Sequence, residues 1–149
     1  MVEIDSGEWQ AAGPYYHDWG PHAHLLRNGE ARWDLQIPAP DSYTITAWWP
    51  AAPDAIGWNR AVTYDILGAD GQVLASRTVD QRVDGDMWHL IGEATLTPGA
   101  SVRLSCTGNA PCLADALHIR SRARYNDGSP VTAVTLQALD GVILARDGG

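Results

Sequence analysis

Alternation is the feature that most limits what this chain can become. In short runs bounded by Gly, Pro, Asn and Asp, every second residue is apolar, the signature of half-buried strands. Ala31, Trp33, Leu35 and Ile37 alternate with Arg32, Asp34 and Gln36 until Pro38-Ala39-Pro40-Asp41 stops the run. Tyr43, Ile45, Ala47 and Trp49 alternate with Ser42, Thr44, Thr46 and Trp48 before Pro50 opens a loop. Val62, Tyr64 and Ile66 end at Gly68-Ala69-Asp70-Gly71, a strong hairpin signal. A strand over Gln72 to Asp80 alternates more weakly. Trp88, Leu90, Ala94 and Leu96 read as one phase, closed by Thr97-Pro98-Gly99-Ala100. Val102, Leu104 and Cys106 form a further strand, and Leu113, Leu117 and Ile119 another. No stretch reads as a helix, so the expectation is an all-β sandwich or barrel.

With 149 residues, the chain is long enough for one domain with a real core. Hydrophobic residues at 45% and charged residues at 19% exclude a disordered tail. The sandwich is expected over 1–120. Beyond it, Tyr125 to Pro130 reads as a linker to a final hairpin, Val131 to Leu139 and Val142 to Ala145 around Asp140-Gly141. Extension of the sandwich and membership of a neighbouring domain both fit that hairpin.

The net charge of -8 removes the cations that nucleic acid or an anionic membrane requires. No apolar run approaches the roughly 20 residues that span a bilayer. Met1-Val2-Glu3-Ile4-Asp5 lacks the regions of a signal peptide. A removed signal or a module of a longer protein explains this, and the second is preferred because Met1 stands so close to the first strand-like segment. The chain has 7 Trp and 5 Tyr but no Phe, a bias toward aromatics with a polar handle that suits a polar partner.

Antiparallel succession sends Pro38–Asp41, Gly68–Gly71 and Thr97–Ala100 to one end of the sandwich. Ala11–Glu30, Ala51–Asn59, Gln81–Met87 and Thr107–Pro111 go to the other. The longer loops carry the unusual residues, and long loops on a rigid scaffold are where binding concentrates. Tyr15, Tyr16, Trp19 and Trp58 lie there, beside Asp54, Asn59, Arg60, Arg82, Asp84 and Asp86. Pyranose rings stack their C–H faces on aromatic rings, while their hydroxyls want amides, carboxylates and guanidinium groups. The competing reading folds those aromatics back as a seal on the sandwich end. Trp33, Trp49 and Trp88 are in phase with their strands' apolar residues and are assigned to the core. Trp48 points to the opposite face, where a partner, the chain's own tail or a loop covers it.

Cys106 and Cys112 flank Thr-Gly-Asn-Ala-Pro. A disulfide closing a hairpin is favoured over two buried thiols, and implies an oxidising compartment. His17, His22 and His24 share a loop that does not preorganise them for zinc, so no metal site is assigned. A structural calcium ion stays open, although the Asp residues lack EF-hand spacing. Asp115 is in phase with Leu113, Leu117 and Ile119, so it points inward and requires partners, Arg60 or backbone N–H groups. No Ser-His-Asp arrangement, phosphate loop or nucleophile elbow is present, and no enzymatic activity is expected.

Asp80-Gln81, Gly85-Asp86-Met87-Trp88-His89-Leu90-Ile91-Gly92, Pro98-Gly99 and Ala114-Asp115-Ala116-Leu117 together resemble the golvesin C-terminal-like domain, or xanthan-lyase-type carbohydrate-binding-like domain. Tyr43 to Pro50, with its Trp-Pro, and the following Arg60 resemble it too, over roughly Gly7 to Ile119. The resemblance implies an antiparallel jelly-roll β-sandwich appended to secreted polysaccharide-degrading enzymes. The expected function is a non-catalytic, extracellular carbohydrate-binding module whose partners are a polysaccharide or oligosaccharide and a parent catalytic domain. The alternative is a structural accessory domain that docks on a catalytic neighbour through Trp48 and the tail.

Overall fold

A computed structural model describes residues 2–11, 24–51, 57–122 and 142–143. Every regular element among them is a strand: β1 Val2–Ala11, β2 His24–Asp34, β3 Asp41–Trp49, β4 Val62–Leu67 and β5 Val73–Val79. β6 Met87–Leu96, β7 Ser101–Cys106, β8 Cys112–Ala114, β9 Ala116–Ser121 and β10 Val142–Ile143 complete the order. One sheet runs β1-β2-β7-β4-β5, with β8 also paired to β2, and the other runs β10-β9-β3-β6. All pairings are antiparallel except β10 against β9. The expected all-β sandwich therefore forms, because each alternating run turns its apolar face inward and only a second sheet can cover it. Of the final hairpin, only Val142–Ile143 is described, as a short strand beside β9. The rest lies outside the described residues.

The core is built from both sheets. Trp33, Tyr64, Leu104 and Val102 from one meet Ile45, Trp49, Leu117 and Leu96 from the other, each at most 1% exposed. Trp33 and Tyr64 stack with ring centroids 6.2 Å apart, which fixes the middle of the larger sheet.

Register bears out the sorting of the other described loops, but the loop expected over Ala11–Glu30 is shorter: His24 to Glu30 belong to β2, paired with β1 on one side and with β7 and β8 on the other, so His24 is a strand residue. At one end the Leu35 N–H donates to Ala100 O at 3.0 Å, and the β4–β5 hairpin turns through Gly71 at φ 80°. At the other end lie the β3–β4 and β5–β6 connections, the segment between β7 and β8, and Asp115, where the chain changes sheet. The single strand expected over Leu113 to Ile119 is thus two strands in different sheets. The break is physical: β8 pairs with β2, β9 pairs with β3, and the intervening residue cannot belong to both ladders.

The cysteines are bridged, with Cα atoms 5.9 Å apart, but they do not close a hairpin. Cys106 pairs with Gly29 of β2 and Cys112 with Leu26, both antiparallel, so β8 resumes the line of β7 after an excursion. Asn28 stands opposite that excursion at φ 47°, a left-handed conformation that Asn tolerates better than most residues.

Candidate functional site

The residues of the β5–β6 connection build a clamp. Gly85 packs so tightly that an added Cβ would sit 2.3 Å from Ala51 Cα. Asp86, at φ 61°, donates its N–H to Trp49 O and accepts from Ala51 N at 2.9 Å through its carboxylate. His89 stacks on Trp49 at 4.1 Å, its Nε2 lies 2.6 Å from Asp84 O, and the Trp49 indole N–H reaches Val83 O. The Asp84 and Asp86 backbones, the Asp86 carboxylate and the Trp49 ring are therefore committed to holding the loop against the end of β3.

Two buried amides fill the gap that the disulfide-closed excursion leaves in the larger sheet. Gln81, 0% exposed, accepts from Leu113 N and donates to Leu113 O, both at 2.8 Å, as a neighbouring strand would. Its Nε2 also reaches the Tyr64 hydroxyl at 3.2 Å. Asn59 donates to Thr107 O at 2.7 Å and Ala110 O at 3.1 Å, and its backbone N–H to Pro111 O. Burial pushes the Tyr64 phenol well above its usual value; the Gln81 hydrogen bond opposes this and the charge of Asp115 adds to it.

Trp58 precedes Asn59 and is drawn under the same end. At 1% exposure it is a core residue, which corrects its assignment as a ligand-stacking ring and favours the sealing reading for this aromatic. Arg60 and Arg82 remain exposed at this end. Arg82 is already engaged: Nε and Nη2 donate to the two oxygens of Asp80 at 2.9 and 2.6 Å. Those bonds hold the Asp80 carboxyl down to about 2, and the charge of Arg60 adds to the effect. Arg60 thus acts on Asp80, while Asp115 is 4% exposed and close enough to act on Tyr64. Tyr15, Tyr16, Trp19, Asp54, His17 and His22 lie outside the described residues, so the loop-end constellation is represented by its cations and its seal.

Two tryptophans, Trp48 and Trp88, lie instead outside the core on the outer face of the smaller sheet. Trp88 was expected inside, but β6 carries an extra residue. Ile45 pairs with Gly92 and Thr46 with Leu90, so Ile91 has no opposite number. This bulge shifts the phase of the strand before it and turns Trp88 outward. There it pairs with Trp48, ring centroids 5.5 Å apart, and with His118 at 5.6 Å. Both tryptophans are half-buried, and Leu90 beside them is 45% exposed. Thr44 and Thr46 continue the face along β3, with Glu93 and Arg120 across from Thr44. His118 and Arg120 went unassigned from sequence, although their alternation with Leu117 and Ile119 was signal enough.

A family model described as the Golvesin C-terminal domain matches residues 3–121. The chain belongs to this family. None of the curated proteins matches it. Among solved structures, a Paenibacillus xanthan lyase is similar with a TM-score of 0.63 at 17% identity, over 78% of this chain and 12% of the lyase. At that identity the likeness is one of fold, and the chain spans a small part of the lyase's length. The matched residues include segments whose physical roles the fold makes plain. Gln81, Gly85 and Asp86 hold the loop end of the sandwich, and Trp88 stands on the outer face of the smaller sheet.

Proposed function

We propose that this chain is a non-catalytic accessory module that holds polysaccharide for a secreted carbohydrate-active enzyme, using the outer face of β9-β3-β6. The observation that carries the reading is the Trp48–Trp88 pair, 5.5 Å apart on a sheet face that also presents Thr44, Thr46, Glu93, Arg120 and the exposed Leu90. Two indoles side by side offer apolar surface to sugar C–H faces, and the threonine hydroxyls offer partners to sugar hydroxyls. The family, and a fold that recurs within one part of a xanthan lyase, support an appended unit rather than a free-standing enzyme. Such a module needs only weak affinity, since tethering raises the local concentration of its enzyme on the polymer. The buried disulfide fits an extracellular setting.

Leu90, 45% exposed beside the pair, favours a second reading in which this face docks on a catalytic neighbour. Affinity gel electrophoresis over a panel of neutral and acidic polysaccharides tests between them. Trp48→Ala is expected to lose retention by about 1–3 kcal/mol, by analogy with base stacking on aromatics. Absence of retention on every polymer, for wild type and variant alike, replaces polysaccharide binding with docking.

A further inference from the structure

Resting on that reading, we infer that the ligand of this face is a single hydrated polysaccharide chain and not the surface of a crystalline polymer. A sugar ring stacks on an indole when the two rings are parallel, so a flat crystal face meets several aromatic side chains well only when their rings share one plane. The Trp48 and Trp88 rings lie 5.5 Å apart and are inclined at 59° to one another. His118 is inclined at 54° to Trp88 from 5.6 Å. No plane can lie flat on Trp48 and Trp88 together, nor on Trp88 and His118. The inclination follows from the ladder. Trp48 and Trp88 are directly opposed on β3 and β6, and aromatic neighbours held that close settle into offset or edge-to-face packing rather than spreading side by side in one plane.

A second feature of the same face opposes a flat polymer. Glu93 accepts from the Thr44 hydroxyl at 3.3 Å and is paired with Arg122 at 3.3 Å, the two side chains 50% and 72% exposed. Thr44 stands four residues from Trp48, roughly 13 Å along the strand. A rigid crystal face laid on the tryptophans extends well beyond that distance, so it covers the ion pair and strips its water, a desolvation that the weak Coulomb gain of such a pair does not offset. A lone chain, one sugar ring wide, occupies the aromatic end and leaves Glu93 and Arg122 hydrated. Rotation about its glycosidic bonds lets successive rings meet the inclined indoles one at a time.

The test sets soluble against crystalline forms of the same polymers, using the full chain. Affinity gels contain hydroxyethyl cellulose, glycol chitin or the soluble polysaccharides of the wider panel, and microcrystalline cellulose and crystalline chitin powders are scored by depletion of protein from solution. Retardation is expected in at least one soluble polymer, with neither powder removing protein, and Trp48→Ala should weaken the retardation about tenfold. The soluble-against-crystalline contrast is read on the wild type, so it stands even where the variant folds poorly. Depletion of the wild type by either powder overturns the single-chain assignment. If Trp48→Ala then stays in solution, the aromatic face survives as a flat-surface site; if it is depleted equally, the face falls as well. No retardation in any soluble polymer and no depletion by either powder overturns the assignment together with the polysaccharide-holding role.

Discussion

Two residues show how little freedom the loop end has. Gly85 has no room for a methyl group, because the atoms it would strike are Ala51 Cα at 2.3 Å and Ala51 N at 2.5 Å, backbone that is itself held by Asp86. Gly85→Ala is therefore expected to cost about 3 kcal/mol, at the upper end for overpacking, read as a lowered urea midpoint with an unchanged slope. Gln81 is the complementary case, a buried polar side chain with its amide fully used. Gln81→Leu keeps the volume but strips Leu113 N and O of their partner, and each orphaned group costs about 1–3 kcal/mol. A loss of about 3 kcal/mol or more is expected in the same assay. Gln81→Glu, which can accept from Leu113 N but cannot donate to Leu113 O, should also destabilise. Stability unchanged in Gln81→Leu would mean that water takes over both bonds.

At the scale of elements, the alternating runs were legible because period two is a local property that burial of one face imposes directly. What local pattern could not show is where a ladder slips. The bulge at Ile91 leaves the composition of β6 unchanged yet moves Trp88 from the core to the outer face, and with it half of the aromatic pair. The same limit hid the course of β7 and β8. A turn-like Gly-Asn-Ala-Pro between two cysteines reads as a hairpin, and only pairing with β2 on both sides reveals an excursion within one line. Trp58 was misplaced because its neighbour Asn59 bonds residues far along the chain, Thr107 and Ala110. The excursion also carries a prediction. Its bridge spans a sequence separation of 6, for which chain entropy gives about 2 kcal/mol. Replacing both cysteines by Ala should lower stability by that amount plus the cost of lost packing, while the fold survives because Asn59 still holds both sides of the loop. Mass spectrometry of unreduced protein should find no free thiol, and two free thiols would reject the pairing.

For the whole molecule, the buried titratable groups set a pH window whose two limits have opposite signs. On the acid side, burial raises the Asp65 carboxyl, but hydrogen bonds from Ser76 and Arg103, together with the Arg103 charge, outweigh it and leave the group below its ordinary value. A depressed folded value means the stabilisation is present above the unfolded value of about 3.9 and is lost as pH falls through the folded one. On the alkaline side, burial holds the Tyr64 phenol protonated well beyond its usual range, with Gln81 lowering it and Asp115 raising it. A raised folded value for an acid works the other way: the unfolded chain releases its proton near pH 10 while the folded chain cannot. The unfolded state then binds fewer protons, so stability falls with rising pH by up to about 1.4 kcal/mol per unit for this one group. Urea unfolding across pH should therefore show a plateau bounded by an acid limb and an alkaline limb. Asp65→Asn should flatten the first and Tyr64→Phe part of the second. Tyr64→Phe also removes one hydrogen bond from Gln81, whose amide keeps Leu113, so it should start from lower stability at neutral pH and then lose less above pH about 10. A Tyr64→Phe variant whose alkaline slope equals that of the wild type would show that the buried phenol does not govern the limb.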